Sequence, residues 1–303
     1  MNRAFLFLIK HLTVATINKY LSLVKFSHTI FALPFALLSF VIAIHTPGSI
    51  FSLRVLIFVL LCMVSARTAA MAFNRYLDRN IDKLNPRTAI REIPAGVISP
   101  GQALTLTIIS CIIFVVSAYT INITCFYLSP VALLVILGYS FTKRFTALCH
   151  IILGVGLGIA PLGAYIAVTD ALSLLPILLG SIVMLWTGGF DIIYALQDEG
   201  FDRNHKLHSI PALLGVKNAL RVSTALHVLA GILLIWFGYE LSHVFPQLKI
   251  FYILGIIVFL SLLTYQHKIV KPDDLSRVNI AFGTTNGIAS VIFCSLVILD
   301  FYL

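Results

Sequence analysis

Charge is scarce in this 303-residue chain. Asp, Glu, Lys and Arg make up 11% of it, and residues 26–53, 93–142 and 278–299 contain none of the four. With a mean hydropathy of +1.00, that scarcity excludes a soluble globular domain, whose surface must be charged. The in/out alternation of a transmembrane barrel is missing as well. Cysteine is sparse and scattered: Cys62, Cys111, Cys125, Cys149 and Cys294 form no C-x-x-C pair and read as apolar packing rather than a metal or disulfide framework. The histidines His45, His150, His227, His243 and His267 show no metal-ligand spacing and are given no role. His28, at the start of the first apolar run, is a candidate buried hydrogen bonder or substrate contact. "GVGLGIAPLG" (154–163) imitates a glycine-rich phosphate loop, but no strand precedes it, so close helix packing is the better reading. Lys10 cuts the first apolar stretch short and no small-residue cleavage site follows, so no signal peptide is expected.

What remains is a series of apolar runs about as long as the 20 or so residues that cross a bilayer core. The expected fold is all-α, a polytopic membrane protein with an interfacial segment over residues 1–25 and a single transmembrane domain over 26–303. Nine candidate spans lie near residues 27–45, 54–73, 101–118, 123–141, 147–168, 173–197, 218–239, 249–267 and 278–299. With the N-terminus inside, 18 of the 21 Lys and Arg residues fall on the cytoplasmic side, leaving Arg54 and Lys249 opposite and Arg67 within a span. That asymmetry follows the positive-inside rule. The net charge of +9 therefore reflects topology, and no aromatic-interleaved basic patch points to a nucleic acid.

The few acids are not scattered. "NRYLDRNID" (74–82) follows the second span, and residues four apart share a helix face, so Asn74, Asp78 and Asp82 form one polar stripe. Arg67 lies on the same face, seven residues deeper, where an ionisable group needs a cavity or a partner. "DIIYALQDEGFD" (191–202) repeats the arrangement after the sixth span, with Asp191, Tyr194, Asp198 and Asp202 expected along one face. Two carboxylate stripes at one depth repel unless a cation neutralises them, and Mg²⁺ commonly joins carboxylates to phosphate oxygens. Arg67, Arg75, Arg79, Arg87, Arg91, Lys143 and Arg144 then suit a diphosphate, which the forked donors of arginine match well. The acids in "KPDD" (271–274) read as a solvated turn.

These pieces resemble the UbiA superfamily of intramembrane aromatic prenyltransferases. "NRYLDRNID" is similar to its N-x-x-x-D-x-x-x-D motif and Asp198–Asp202 to its second D-x-x-x-D. "RTAIREIPAG" (87–96), "GYSFTKRFT" (138–146) and "HSIPALLG" (208–215) follow in family order. The resemblance covers about residues 20–300. It implies a bundle of about nine helices around a central cavity in a bacterial inner membrane, with a cytoplasmic active site. It implies a polyprenyl diphosphate donor, a hydroxylated aromatic acid acceptor, Mg²⁺ and a place in ubiquinone or menaquinone biosynthesis. Asn74, Asp78, Asp82, Asp198 and Asp202 are the implied metal ligands. Arg87, Arg91, Lys143 and Arg144 are candidates for the diphosphate or the acceptor carboxylate. Asp191 would orient the acceptor hydroxyl or take the ring proton, and Tyr139 and Tyr194 line the cavity or pack at the interface. The overall pattern is similar to 4-hydroxybenzoate polyprenyltransferases. "KFSHTIFALPFAL" and "LHSIPA" look more like the futalosine-route menaquinone enzyme, and His208 stands where a lysine is common in the benzoate enzymes. A neutral imidazole favours a bicyclic dihydroxynaphthoate as acceptor. A CDP-alcohol phosphotransferase would carry its acids in one compact motif, and a secondary transporter would carry them near mid-membrane.

Overall fold

The computed structural model describes residues 19–246 and 250–303. The expected interfacial segment therefore lies largely outside the described residues, as does the His28 side chain. The described helices are α1 (Leu33–Ile44), α2 (Leu53–Leu84), α3 (Pro100–Ile121), α4 (Ile123–Thr142), α5 (Cys149–Thr169) and α6 (Leu174–Ala195). They continue with α7 (Glu199–Asn204), α8 (Ile210–Val244), α9 (Ile250–Ile269) and α10 (Asn286–Asp300). Among the described residues, eight helices are long and apolar enough to cross a membrane, and Thr29–Ile44 forms a shorter apolar helix. The expected ninth span is that shorter piece. At 1.5 Å per residue it reaches about 24 Å, short of a hydrocarbon core of about 30 Å.

Local chemistry sets the element ends. At 32 residues α2 is about 48 Å long, so its last turns leave the bilayer core and carry residues 74–82 with them. Asn85 precedes Pro86, which disfavours helical backbone at Asn85, and Asn85 is extended (φ −89°, ψ 117°). Ser99 and Gln102 then form a capping box that starts α3 at Pro100. Asn122 alone separates α3 from α4, and its side chain accepts from Cys125 N at 2.7 Å to cap the second helix.

Helix α5 packs antiparallel against α6 through glycine. A Cβ on Gly158 would stand 2.5 Å from Gly180 O, and one on Gly154 would stand 2.3 Å from Met184 O. One turn further, a Cβ on Gly188 would meet His150 O at 3.6 Å. Lipid tails give apolar helices no hydrophobic reason to associate, so close backbone approach supplies the packing. "GVGLGIAPLG" thus serves helix contact, as its sequence suggests. Trp186, Phe35, Phe190, Phe259 and Phe293 fill the core on the other face of α6.

A polar hub is buried in that core. Asn286 Oδ1 accepts from Trp186 Nε1 at 2.9 Å and from Gln266 Nε2 at 2.6 Å, while its Nδ2 donates to the carbonyls of Ala281 and Phe282. Those carbonyls belong to a π-helical segment, Ile280–Thr285, immediately before α10. Such bulges free carbonyls from the regular ladder, and Asn286 collects two of them. His227 and His267, which have no metal spacing in the sequence, are hydrogen-bonded to each other at 2.8 Å. All five cysteines are free. Asp274 accepts from Ser276 in an exposed turn, and these hydrogen bonds hold its carboxyl below the usual range.

Candidate active site

The two acidic stripes meet at one end of the bundle, and basic side chains hold them there. In the first, Asp78 accepts from Asn74 Nδ2 at 3.0 Å and from Arg144 Nη2 at 2.7 Å, and Asp82 accepts from Arg91 Nη1 at 2.7 Å. Both acids and Asn74 lie on the unbroken helix α2, so the four-residue spacing does put them on one face. The second stripe departs from that expectation. A 3₁₀ turn, Leu196–Asp198, separates α6 from α7, because tighter winding is common where a helix ends. Asp191, Asp198 and Asp202 therefore sit on three successive elements rather than one helix, and each finds different company.

Asp198 is held by the loop after α2. Arg87 Nε donates to Asp198 Oδ1 at 2.9 Å, its Nη2 donates to Oδ2, and Asn85 Nδ2 donates to Oδ1 at 2.9 Å. Burial opposes the Arg87 charge, and the hydrogen bonds and charge of Asp198 outweigh it, so the guanidinium is held above its ordinary range. Arg87 Nη1 also reaches Tyr194 Oη at 2.9 Å, with the guanidinium 5.1 Å from the Tyr194 ring centre. Phe282, on the π-helical segment, stacks on Tyr194 at 4.1 Å. Asp202, fully buried, takes Ser209 Oγ at 2.9 Å and lies 2.7 Å from Lys143 Nζ. Consecutive residues Lys143 and Arg144, in the turn after α4, thus reach opposite stripes.

Asp191 pairs with neither stripe's bases but with a histidine. Its Oδ2 is 2.7 Å from His150 Nδ1, and His150 Nε2 takes the backbone N–H of Ile210 at 3.3 Å. Arg67 and Tyr139 line a cavity of about 380 Å³ between α2, α3, α4 and α5, whose other walls are mostly apolar and include Met63, Phe114, Ile136 and Leu157. The Nε of Arg67 is buried without a hydrogen bond, as is that of Arg75. Tyr139 is within electrostatic range of Arg67, Asp78 and Asp191. Arg79 instead folds back on its own helix, donating to Tyr76 O at 2.6 Å. His208 has an exposed side chain and joins the site through its backbone, its N–H donating to Lys143 O at 2.7 Å. Three members of the site carry no role in the sequence analysis: His150, Asn85 and Ser209. Ser209 is legible as the N-cap of α8; His150 has no local signal, since its partner is 41 residues on.

The donor set is chemically suited to a hard divalent cation. Asn74, Asp78, Asp82, Asp198 and Asp202 offer hard oxygen ligands; buried Asp82 Oδ2 accepts no hydrogen bond, and Asp202 Oδ1 meets Lys143 Nζ at 2.7 Å. Among the described residues no three acidic, histidine or cysteine side chains converge on one point. Four bases match the four carboxylates instead.

Long apolar helices, with an all-oxygen donor set beside an apolar cavity at one end, define a multi-pass membrane protein with a site for charged chemistry. The chain belongs to the UbiA prenyltransferase family, whose sequence profile matches residues 32–296, and it is a prenyltransferase. It is 30% identical over 232 residues to the 4-hydroxybenzoate octaprenyltransferase of Aeromonas hydrophila subsp. hydrophila, covering 77% of this chain and 79% of that protein. It is 30% identical over 245 residues to the protein of that name from Aliivibrio salmonicida, covering 80% and 83%. The apo structure of a UbiA homolog from Aeropyrum pernix K1 matches with a TM-score of 0.79 and 34% identity, over 90% of this chain and 98% of that one. A UbiA homolog from Archaeoglobus fulgidus bound to GPP and Mg²⁺ shares the fold, with a TM-score of 0.67 and 22% identity over 94% and 100%.

Proposed function

We propose that this chain transfers a polyprenyl group from its diphosphate to the ring of a hydroxylated aromatic acid. The observation that carries this reading is the junction of two carboxylate stripes, bridged by Lys143, Arg144 and Arg87, together with a mostly apolar cavity lined in part by Arg67 and Tyr139. The cavity would take the prenyl chain, and the charged junction the diphosphate. Asn74, Asp78, Asp82, Asp198 and Asp202 would hold Mg²⁺, which when bound supplies positive charge against the charge developing on the leaving diphosphate. Arg87, Arg91, Lys143 and Arg144 add fixed positive charge around the same group. Exclusion of water by the apolar walls protects an allylic cation from quenching. Asp191 would take the proton lost from the ring, and Tyr139 and Tyr194 would flank the reacting carbon. The positive-inside distribution of Lys and Arg supports a cytoplasmic face for the junction. Reporter fusions in the 85–99 loop and at Leu303 should then report opposite sides, and agreement between them would sink that orientation.

Two acceptors are in view. The names of the relatives support 4-hydroxybenzoate. The histidine at 208 supports a dihydroxynaphthoate, in which greater aromatic area offsets a missing cation at about 25 cal/mol per Å² buried. Purified protein given a ladder of prenyl diphosphates and each acid should yield a prenylated aromatic product by mass, lost on chelation of divalent metal. Absence of product from both acids would overturn the reading. A tenfold preference, about 1.4 kcal/mol, would decide the acceptor.

A further inference from the structure

Asp191 has a neighbour that the proposed chemistry leaves idle. His150 is 3% exposed at its side chain, in the first turn of α5, while Asp191 is 22% exposed on α6. The Ile210 N–H points at His150 Nε2. A ring nitrogen facing a donor must accept, so in the neutral imidazole the proton sits on Nδ1 and is donated to Asp191 Oδ2. The donor has its own reason to be there: Ile210 opens α8, and the N–H groups of a first turn have no partner inside the helix. One residue earlier, Ser209 binds Asp202. Residues 209 and 210 thus tie the second stripe and the Asp191 pair to the same helix start.

We infer that His150 is a positioning residue for the transfer, holding Asp191 by Oδ2 in one orientation so that Oδ1 faces the acceptor. This rests on the proposed role of Asp191 as the proton acceptor. In the balanced step, the bond from the allylic carbon to diphosphate oxygen breaks and a bond from that carbon to the ring forms. The ring hydrogen then leaves as a proton to Asp191 Oδ1, its electron pair returning to the ring. His150 from α5 meets Asp191 directly, Cys149 lies beside His150, and Tyr139 from α4 is within electrostatic range of Asp191.

The test compares His150→Gln with His150→Leu in purified protein. Glutamine can donate to Asp191 and accept from Ile210; leucine can do neither. The glutamine variant should keep kcat within about fivefold, since it can remake both hydrogen bonds. The leucine variant should lose about 10- to 100-fold in kcat, the range for removing an orienting partner, with KM for prenyl diphosphate unchanged. A folded glutamine variant that loses kcat as heavily as the leucine range would overturn the inference, even if the leucine variant fails to fold. A leucine variant with wild-type kcat would overturn it too. If wild-type protein makes no prenylated aromatic product at all, the proposed function fails instead.

Discussion

The acidic stripes at 78–82 and 198–202 share one spacing, yet one is a helix face and the other a corner. On α2 the side chains of Asp78 and Asp82 are 20% and 7% exposed. Across the 3₁₀ turn, those of Asp198 and Asp202 are 10% and 0% exposed. Distant bases reach both stripes, since Arg144 serves Asp78 from the turn after α4; the other three acids divide more cleanly. Asp82 is served by Arg91 from the loop that directly follows its own helix, whereas Asp198 and Asp202 depend on Arg87 and Lys143, from distant segments. A helix face needs no outside help to hold its spacing. A corner does, and here its partners come from the other half of the chain.

The largest expected effect treats the stripes alike. Asp78→Asn and Asp198→Asn should each lower prenyl transfer by about 100- to 1,000-fold, as loss of one group that stabilises developing charge does. Near wild-type turnover of either variant at saturating Mg²⁺ would detach that stripe from the reaction. The next effect separates them. Lys143→Met leaves the fully buried Asp202 without its cation, which should cost about 3 kcal/mol of stability. Arg144→Met uncovers the more exposed Asp78 and should cost about 1 kcal/mol or less. Equal shifts in thermal unfolding in detergent would erase the difference between face and corner. The smallest effect belongs to the corner alone. Ser209→Ala removes both a helix cap and a donor to Asp202, at about 1 kcal/mol, and an unchanged melting temperature would show that Asp202 does not use the hydroxyl.

Much of this was legible in the residues. Uncharged runs marked the spans, and the i, i+4 rule placed Asn74, Asp78 and Asp82 together because α2 runs straight through them. The same rule overreached at Asp191–Asp202, since helical spacing says nothing of a 3₁₀ turn between the acids. Nor could periodicity assign bases to acids. That Lys143 and Arg144 diverge to opposite stripes depends on where α4 ends against α2 and α7. His150 has no metal spacing in the sequence, yet the antiparallel register of α5 and α6 sets it against Asp191. Asn286 lies inside the uncharged run 278–299, and nothing near it in sequence reveals Trp186 and Gln266.

That register gives the glycines of α5 a meaning beyond helix association. Gly158 and Gly154 meet the α6 backbone at Gly180 and Met184 with no side chain between, and His150 follows one turn later on the same edge. The gap between imidazole and carboxylate is therefore gauged by rigid backbone, as a workpiece is located against a fixed stop. A methyl group added at Gly154 lies more than ten residues in sequence from the junction acids and touches none of the chemistry. It would still push the stop outward, and a misplacement of about 1 Å can cost about 100-fold in rate.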